Sequence, residues 1–172
     1  MDPNHPSDPE PWLRGTLTDV PAVPRAVLHA LELAKEDLYH WCGSLSDPEL
    51  NERPTGIAPV AFHIRHIARS LDRLLTYAEG NQLSSDQLEQ MKAELNTPAK
   101  REDLFAELDG ALRKSTERIR AFDITRLNDS REVGKKKLPT TLGGLLVHVA
   151  DHTQRHVGQA ITTSKIVQAR RT

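Results

Sequence analysis

The sequence predicts an all-α protein built as a four-helix bundle, and two observations lead to this fold class. Four long segments repeat apolar residues at spacings of three and four, which is the period of a helix with one buried face. Alternation typical of a strand is short, and it predicts at most one small strand near residues 131–135. Four amphipathic helices with aliphatic faces are expected to pack around a shared core.

The first two long helices are predicted on either side of a polar connection. The first runs from about Val23 to Trp41 and closes at Gly43. Pro24 is compatible with its start, because a first-turn N–H has no helical partner. The second covers about residues 58–79.

A short helix and the last two long helices are predicted in the second half of the chain. Ser84 and Gln87 fit a capping box, which marks the start of the short helix. Thr97 and Pro98 fit the cap and first residue of the third long helix, and the fourth covers about residues 142–167. The connections are longer than a minimal bundle needs, and such connections can form the wall of a pocket.

The domain organisation is predicted to be simple. The segment 1–18 is polar and proline-rich and is interpreted as a mobile N-terminal arm without the apolar core of a signal peptide. Residues 19–172 are predicted to form one domain, which is large enough for its own core.

The composition argues against several classes of partner and site. The net charge is −1, so no strong field is expected to attract nucleic acid or an anionic membrane, and the run 135–137 of three lysines is interpreted as a solvated loop. No apolar run approaches the roughly 20 residues of a membrane span. Cys42 is the only cysteine, which excludes an intrachain disulfide and favours the cytoplasm.

Three histidines in the fourth long segment predict a metal site. His148, His152 and His156 follow one another at spacings of four, which places them on one helix face. On a helical wheel, His156 lies within the apolar face, His152 lies at its edge and His148 lies outside it. Two imidazoles four residues apart can bind one metal ion, so His152 and His156 are the predicted inward pair.

A third ligand must come from another element, and the second long segment offers His63 and His66. Periodicity favours His63, which is nearer the apolar face, whereas a metal at the edge of the core would suit His66 as well. Surface histidines or a hydrogen-bonded core histidine are the simpler alternatives. A zinc metalloprotease is disfavoured, because Thr153 stands where the His-Glu-x-x-His pattern needs glutamate.

These histidine patterns resemble the DinB/YfiT-like superfamily of helical metal-binding proteins. The similar parts are His66-Ile-Ala in the second segment and the run from His152 to Gln159, HTQRHVGQ, and the resemblance covers about residues 20–168. It implies an up-down-down-up four-helix bundle. It also implies that His66, His152 and His156 are the metal ligands, with His63 as a neighbour.

The resemblance also implies a cofactor and a function. The cofactor would be a divalent metal, with zinc or nickel as first choices and iron, manganese or cobalt as others that three imidazoles accept. Gln159 lies on the ligand side of the helical wheel, so it is predicted either to hold a ligand ring or a water bound to the cofactor, or to be a surface amide. Related proteins transfer low-molecular-weight thiols, such as bacillithiol or mycothiol, to small electrophiles, and a homodimer is expected.

Two other functions remain open from the sequence. One is a non-enzymatic metal-binding protein of the stress response, and the other is a helical interaction module with incidental histidines. The sequence identifies neither the thiol nor the acceptor.

Overall fold

The computed structural model describes residues 9–171, and this part of the chain is mostly helical, as predicted. Among these residues, every helix is too short or too polar to cross a bilayer. In chain order the elements are α1 (Ala22–Cys42), α2 (Asp47–Asn51), α3 (Val60–Ala78), α4 (Ser85–Ala93), α5 (Arg101–Arg120), β1 (Ser130–Val133), β2 (Leu138–Thr141) and α6 (Leu142–Gln168).

The four long helices enclose one hydrophobic core. Both α1 and α3 pack against α5 and α6, so each long helix has two long neighbours. The apolar face predicted for each helix supplies aliphatic side chains to this core, and the fully buried ones include Leu38, Leu71, Leu75, Leu108 and Leu146. The periodicity of the sequence therefore identified the buried faces of these helices.

Side-chain caps define several helix starts. The predicted capping box of α4 is confirmed, because Ser84 Oγ accepts from the Gln87 N–H at 3.2 Å and Gln87 Oε1 accepts from the Ser84 N–H at 2.9 Å. A second box, formed by Ser46 and Glu49, starts α2 inside a segment that was predicted to be only a connection. These caps satisfy N–H groups that have no partner within the helix.

The predicted start of α5 is wrong. Thr97 does not cap it, because its hydroxyl donates to the Ala93 carbonyl at 2.7 Å and so serves the end of α4. Asn51 bonds both backbone groups of Ala99, at 2.8 and 2.9 Å, and holds the chain in a non-helical conformation there. The helix therefore begins only at Arg101, with Lys100 as its N-cap.

An antiparallel hairpin precedes α6. Ser130 lies opposite Thr141 and Val133 opposite Leu138, so the strand predicted near 131–135 is present with a small shift, whereas β2 was not predicted. Gly134 starts the turn with a φ of 71°, a left-handed conformation that suits glycine. Arg131 Nε donates to the Ala78 carbonyl at 2.6 Å, which fixes the hairpin at the end of α3.

The predicted N-terminal arm lies partly outside the described residues, which begin at Pro9. The described part contacts α1. Arg14 donates to both oxygens of the Glu36 carboxylate, at 2.6 and 2.8 Å, and Pro11 is buried. The mobility of residues 1–18 stays a prediction.

Candidate metal centre

Two helices that pack side by side bring four imidazoles together. The Nε2 atoms of His66 in α3 and His152 in α6 lie 3.0 Å apart. His63 Nδ1 and His156 Nδ1 lie 3.1 Å apart. The two spacings seen in the sequence, three on α3 and four on α6, thus place two pairs of rings opposite each other.

A buried carboxylate orients one of these rings. Glu94 follows the end of α4 and is 2% exposed, and its Oε2 lies 2.6 Å from His66 Nδ1. An ionised carboxylate only accepts hydrogen bonds, so Nδ1 donates and carries the proton. In the tautomer with its proton on Nδ1, the lone pair of the His66 ring is on Nε2, the atom that faces His152.

Two arginines of α3 hold Glu94, one at its carboxylate and one at its backbone carbonyl. Arg73 donates to Oε1, and Arg65 donates to the Glu94 carbonyl at 2.9 Å. Burial raises the pKa of Glu94, but the hydrogen bonds from His66 and Arg73 outweigh it, so the pKa lies below its ordinary value. The carboxyl group is thus ionised and acts as a fixed acceptor for His66.

The donor set fits a divalent metal ion. His66, His152 and His156 each offer one nitrogen, and these three atoms lie within 4.8 Å of one another. Two nitrogen ligands of a tetrahedral zinc ion are about 3.3 Å apart, close to the observed 3.0 Å between His66 and His152. Hydrogen bonding of a ligand ring to a carboxylate, as in His66 and Glu94, is usual around such ions.

The protonation state also suits metal binding. Burial, and next the neighbouring imidazoles, lower the pKa of His152 and of His156 to about 4. Both rings are therefore neutral near pH 7, which is the form that coordinates a metal.

A cavity of about 880 Å³ opens beside the histidines. His66 and His152 line it, and His156 does not. Its other walls come from α3, from α4 and the segment before it, and from the turn of the hairpin. The long connections between the helices thus form much of the pocket wall.

Comparison with known proteins identifies the family of the chain. Residues 30–160 match the family model described as the DinB superfamily. The chain belongs to the DinB superfamily. A crystal structure described as the conserved protein of locus from Enterococcus faecalis has the same fold. The two structures superpose with a TM-score of 0.70, and the two sequences are 20% identical. The matched region covers 87% of this chain and 99% of that chain. No curated protein matches the chain.

Both α3 histidines of this DinB-superfamily chain face α6. His63, which the periodicity favoured, is 5% exposed and contacts His156. His66 contacts His152 and Glu94 and lies in the cavity wall. The group of three nearby donor atoms contains His66 and not His63. The assignment of His66, His152 and His156 as ligands stays a prediction.

Two other residues of the α6 motif are not among the three nearby donors, although the His148 ring lies 5.4 Å from the His152 ring between centroids. His148 is half-exposed, with its Nδ1 3.7 Å from the Asp151 carboxylate, as its position outside the apolar face suggests. Gln159 is exposed and is not part of the cavity wall. Its role as a cofactor contact stays a prediction.

Glu94 was not predicted as a site residue from the sequence. It lies 28 positions from His66, outside any periodic pattern, and no local signal distinguishes it from other acidic residues of the polar connection. Arg73 is 7% exposed, pairs with Glu94 and lines the cavity.

The metal-free DinB-superfamily protein is expected to become more stable as the pH rises from about 4 to about 6.5. The pKa of His63, His152 and His156 is lowered from 6.5 to about 4 in the folded chain, in each case first by burial. Between these values the unfolded chain binds more protons, so the free energy of unfolding increases with pH. Urea unfolding of metal-free protein across this range measures the slope.

The variant His63→Gln removes one of these groups and should reduce the slope. A flat profile above about pH 5, where most carboxylates have already ionised, would contradict this prediction.

Proposed function

We propose that this DinB-superfamily protein is a metal-dependent transferase that joins a low-molecular-weight thiol to small electrophiles. The observation that carries the proposal is the position of His66 and His152 in the wall of the cavity of about 880 Å³. A structural metal site is usually closed by four protein ligands, whereas three histidines beside a cavity leave a position for an exogenous ligand.

The chemistry divides between the metal and the chain. When bound, a divalent metal supplies Lewis acidity that favours the ionised form of a thiol. The chain supplies neutral imidazoles, a carboxylate that orients His66, and a concave wall that receives the acceptor. In the transfer, a carbon–sulfur bond forms, the bond from that carbon to its leaving group breaks, the leaving group takes the electron pair, and the thiol proton passes to solvent.

The thiol of the protein itself is unsuited to be the nucleophile. Cys42 is fully buried, and burial raises the pKa of its thiol to about 12. The reactive species in sulfur chemistry is the thiolate, which Cys42 does not form near pH 7. The nucleophile is therefore a cosubstrate.

Thiol transfer is expected to depend on added metal and to rise with pH as the thiol ionises. Glutathione, bacillithiol and mycothiol are each supplied with a haloarene acceptor, and release of the halide is followed with zinc or nickel and after treatment with a chelator. Chelation and His152→Ala should both abolish the rate.

The matched control is Cys42→Ser, which should retain the rate because Cys42 is not the nucleophile. A rate that survives both chelation and His152→Ala would contradict the mechanism. Stoichiometric metal without turnover on any of the three thiols would favour the non-enzymatic metal-binding protein, and absence of both would favour a helical interaction module.

The finer features of the family resemblance belong to the same proposal. The up-down-down-up order of the helices rests on the family resemblance, and the packing of both α1 and α3 against α5 and α6 supports a bundle of these four helices. Homodimer formation and a cytoplasmic location rest on the resemblance and on the single cysteine.

A further inference from the structure

The cavity beside the histidines has an apolar wall that no other part of residues 9–171 covers. Leu74 of α3, Leu83, and Leu88 and Met91 of α4 contribute to it. Met91 is 44% exposed, although a methionine on a short helix is usually packed against a neighbour. Concave apolar surface of this kind, within the usual roughly 300–1,000 Å³, is typical of a small-molecule site.

The charged groups at the cavity are all cationic. Arg73, Lys92, Lys135 and Lys137 line it, and among the described residues no aspartate or glutamate does. This bias is local, because the whole chain carries a net charge of only −1. An apolar cavity with cationic side chains selects ligands that combine an apolar body with negative charge.

Two of these cations already have carboxylate partners and two do not. Arg73 pairs with Glu94, and Lys137 Nζ lies 3.3 Å from the Glu132 carboxylate. Lys92, in the last turn of α4, and Lys135, in the hairpin turn, are exposed and form no ion pair within residues 9–171. Their charge is therefore available to a ligand in the cavity.

We infer that this cavity binds small amphiphilic anions, with the apolar body against the leucine wall and a carboxylate or phosphate beside Lys92 and Lys135. The lysine run 135–137, interpreted from the sequence as a solvated loop, thus contributes to a binding site. If these anions are the acceptors of the transferase, that part of the inference rests on the proposed function. Their binding to the cavity can be measured without turnover.

Calorimetric titration of the metal-free full chain tests the inference with four ligands of equal chain length: decanoate, decyl phosphate, decanol and decyltrimethylammonium. We expect the two anions to bind, decanol to bind about tenfold more weakly, and the cation not to bind. The tighter anion identifies the preferred head group.

Lysine variants test the position of the head group. Lys92→Met and Lys135→Met should each lower the affinity for decanoate about three- to fivefold. The double variant should lower it about tenfold or more. Lys136→Met is the matched control, because Lys136 lies in the same turn but not in the cavity wall, and it should leave the affinity unchanged. Equal binding of decanol and decanoate, or an unaffected double variant, would overturn the inference.

Comparison of metal-free with zinc-loaded protein separates the lysines from the metal as the partner of the anion. We expect similar decanoate affinity in both forms, and binding that requires zinc would overturn the assignment to Lys92 and Lys135. Decanoate binding without thiol transfer would contradict only the proposed function. Thiol transfer without decanoate binding would contradict only this inference.

Discussion

The variant His156→Ala is expected to lose stoichiometric binding of a divalent metal. His156 supplies one of the three nitrogens that lie within 4.8 Å of one another, and the two that remain cannot form a tight site. Removal of a residue that only hydrogen-bonds to a metal ligand weakens metal affinity roughly 10- to 100-fold. The loss of metal affinity in His156→Ala should be larger, because His156 is itself a predicted ligand. Elemental analysis of purified protein and calorimetric titration with zinc measure the stoichiometry and the affinity.

His148→Ala is the matched control, because His148 lies on the same helix two turns earlier and is half-exposed. It should retain one metal per chain. The pair His63→Ala and His66→Ala then decides the third ligand. Loss of metal in His63→Ala together with retention in His66→Ala would show that the third ligand is His63.

The variant Glu94→Ala is expected to lose both stability and metal affinity. It leaves the buried Arg73 without its carboxylate, and breaking a buried pair in this way costs about 3–5 kcal/mol. It also removes the acceptor of His66 Nδ1, which should weaken metal binding about 10- to 100-fold. Urea unfolding of the metal-free protein and zinc titration measure the two effects separately.

A partly exposed ion pair between α3 and α5 provides the control for stability. Glu107→Ala removes the partner of Arg69, and both side chains are partly exposed. The free energy of unfolding should therefore fall by about 1 kcal/mol or less. The double variant Arg73→Met/Glu94→Leu should recover stability without recovering metal affinity, because it removes the unpaired charge but not the defect at His66. Equal effects of Glu94→Ala and Glu107→Ala would contradict the role given to Glu94.

The sequence predicted those parts of the fold that depend on local periodicity. Each long helix buries one face, so a spacing of three and four identified α1, α3, α5 and α6. The start of α5 was mistaken because Thr97 fits a cap by residue type. The actual start of α5 depends on a tertiary contact, because Asn51 binds the backbone of Ala99 from 48 positions away.

The same distinction holds at the candidate site. The histidine pairs are visible in the sequence because their spacing on each helix is local. Glu94 and the cationic lining of the cavity are not visible, because they depend on how α4 and the hairpin turn lie against α3. A single sequence does not reveal such contacts between distant residues.

The candidate site joins the middle of the chain to its end, since His66 and His152 are 86 positions apart. Synthesis proceeds from the N-terminus, so α3 leaves the ribosome well before α6. Until α6 docks, His66 has neither of its partner imidazoles, so the group of three nearby nitrogens exists only in the folded chain. A metal ion that binds this group more tightly than it binds the unfolded chain would oppose unfolding by mass action.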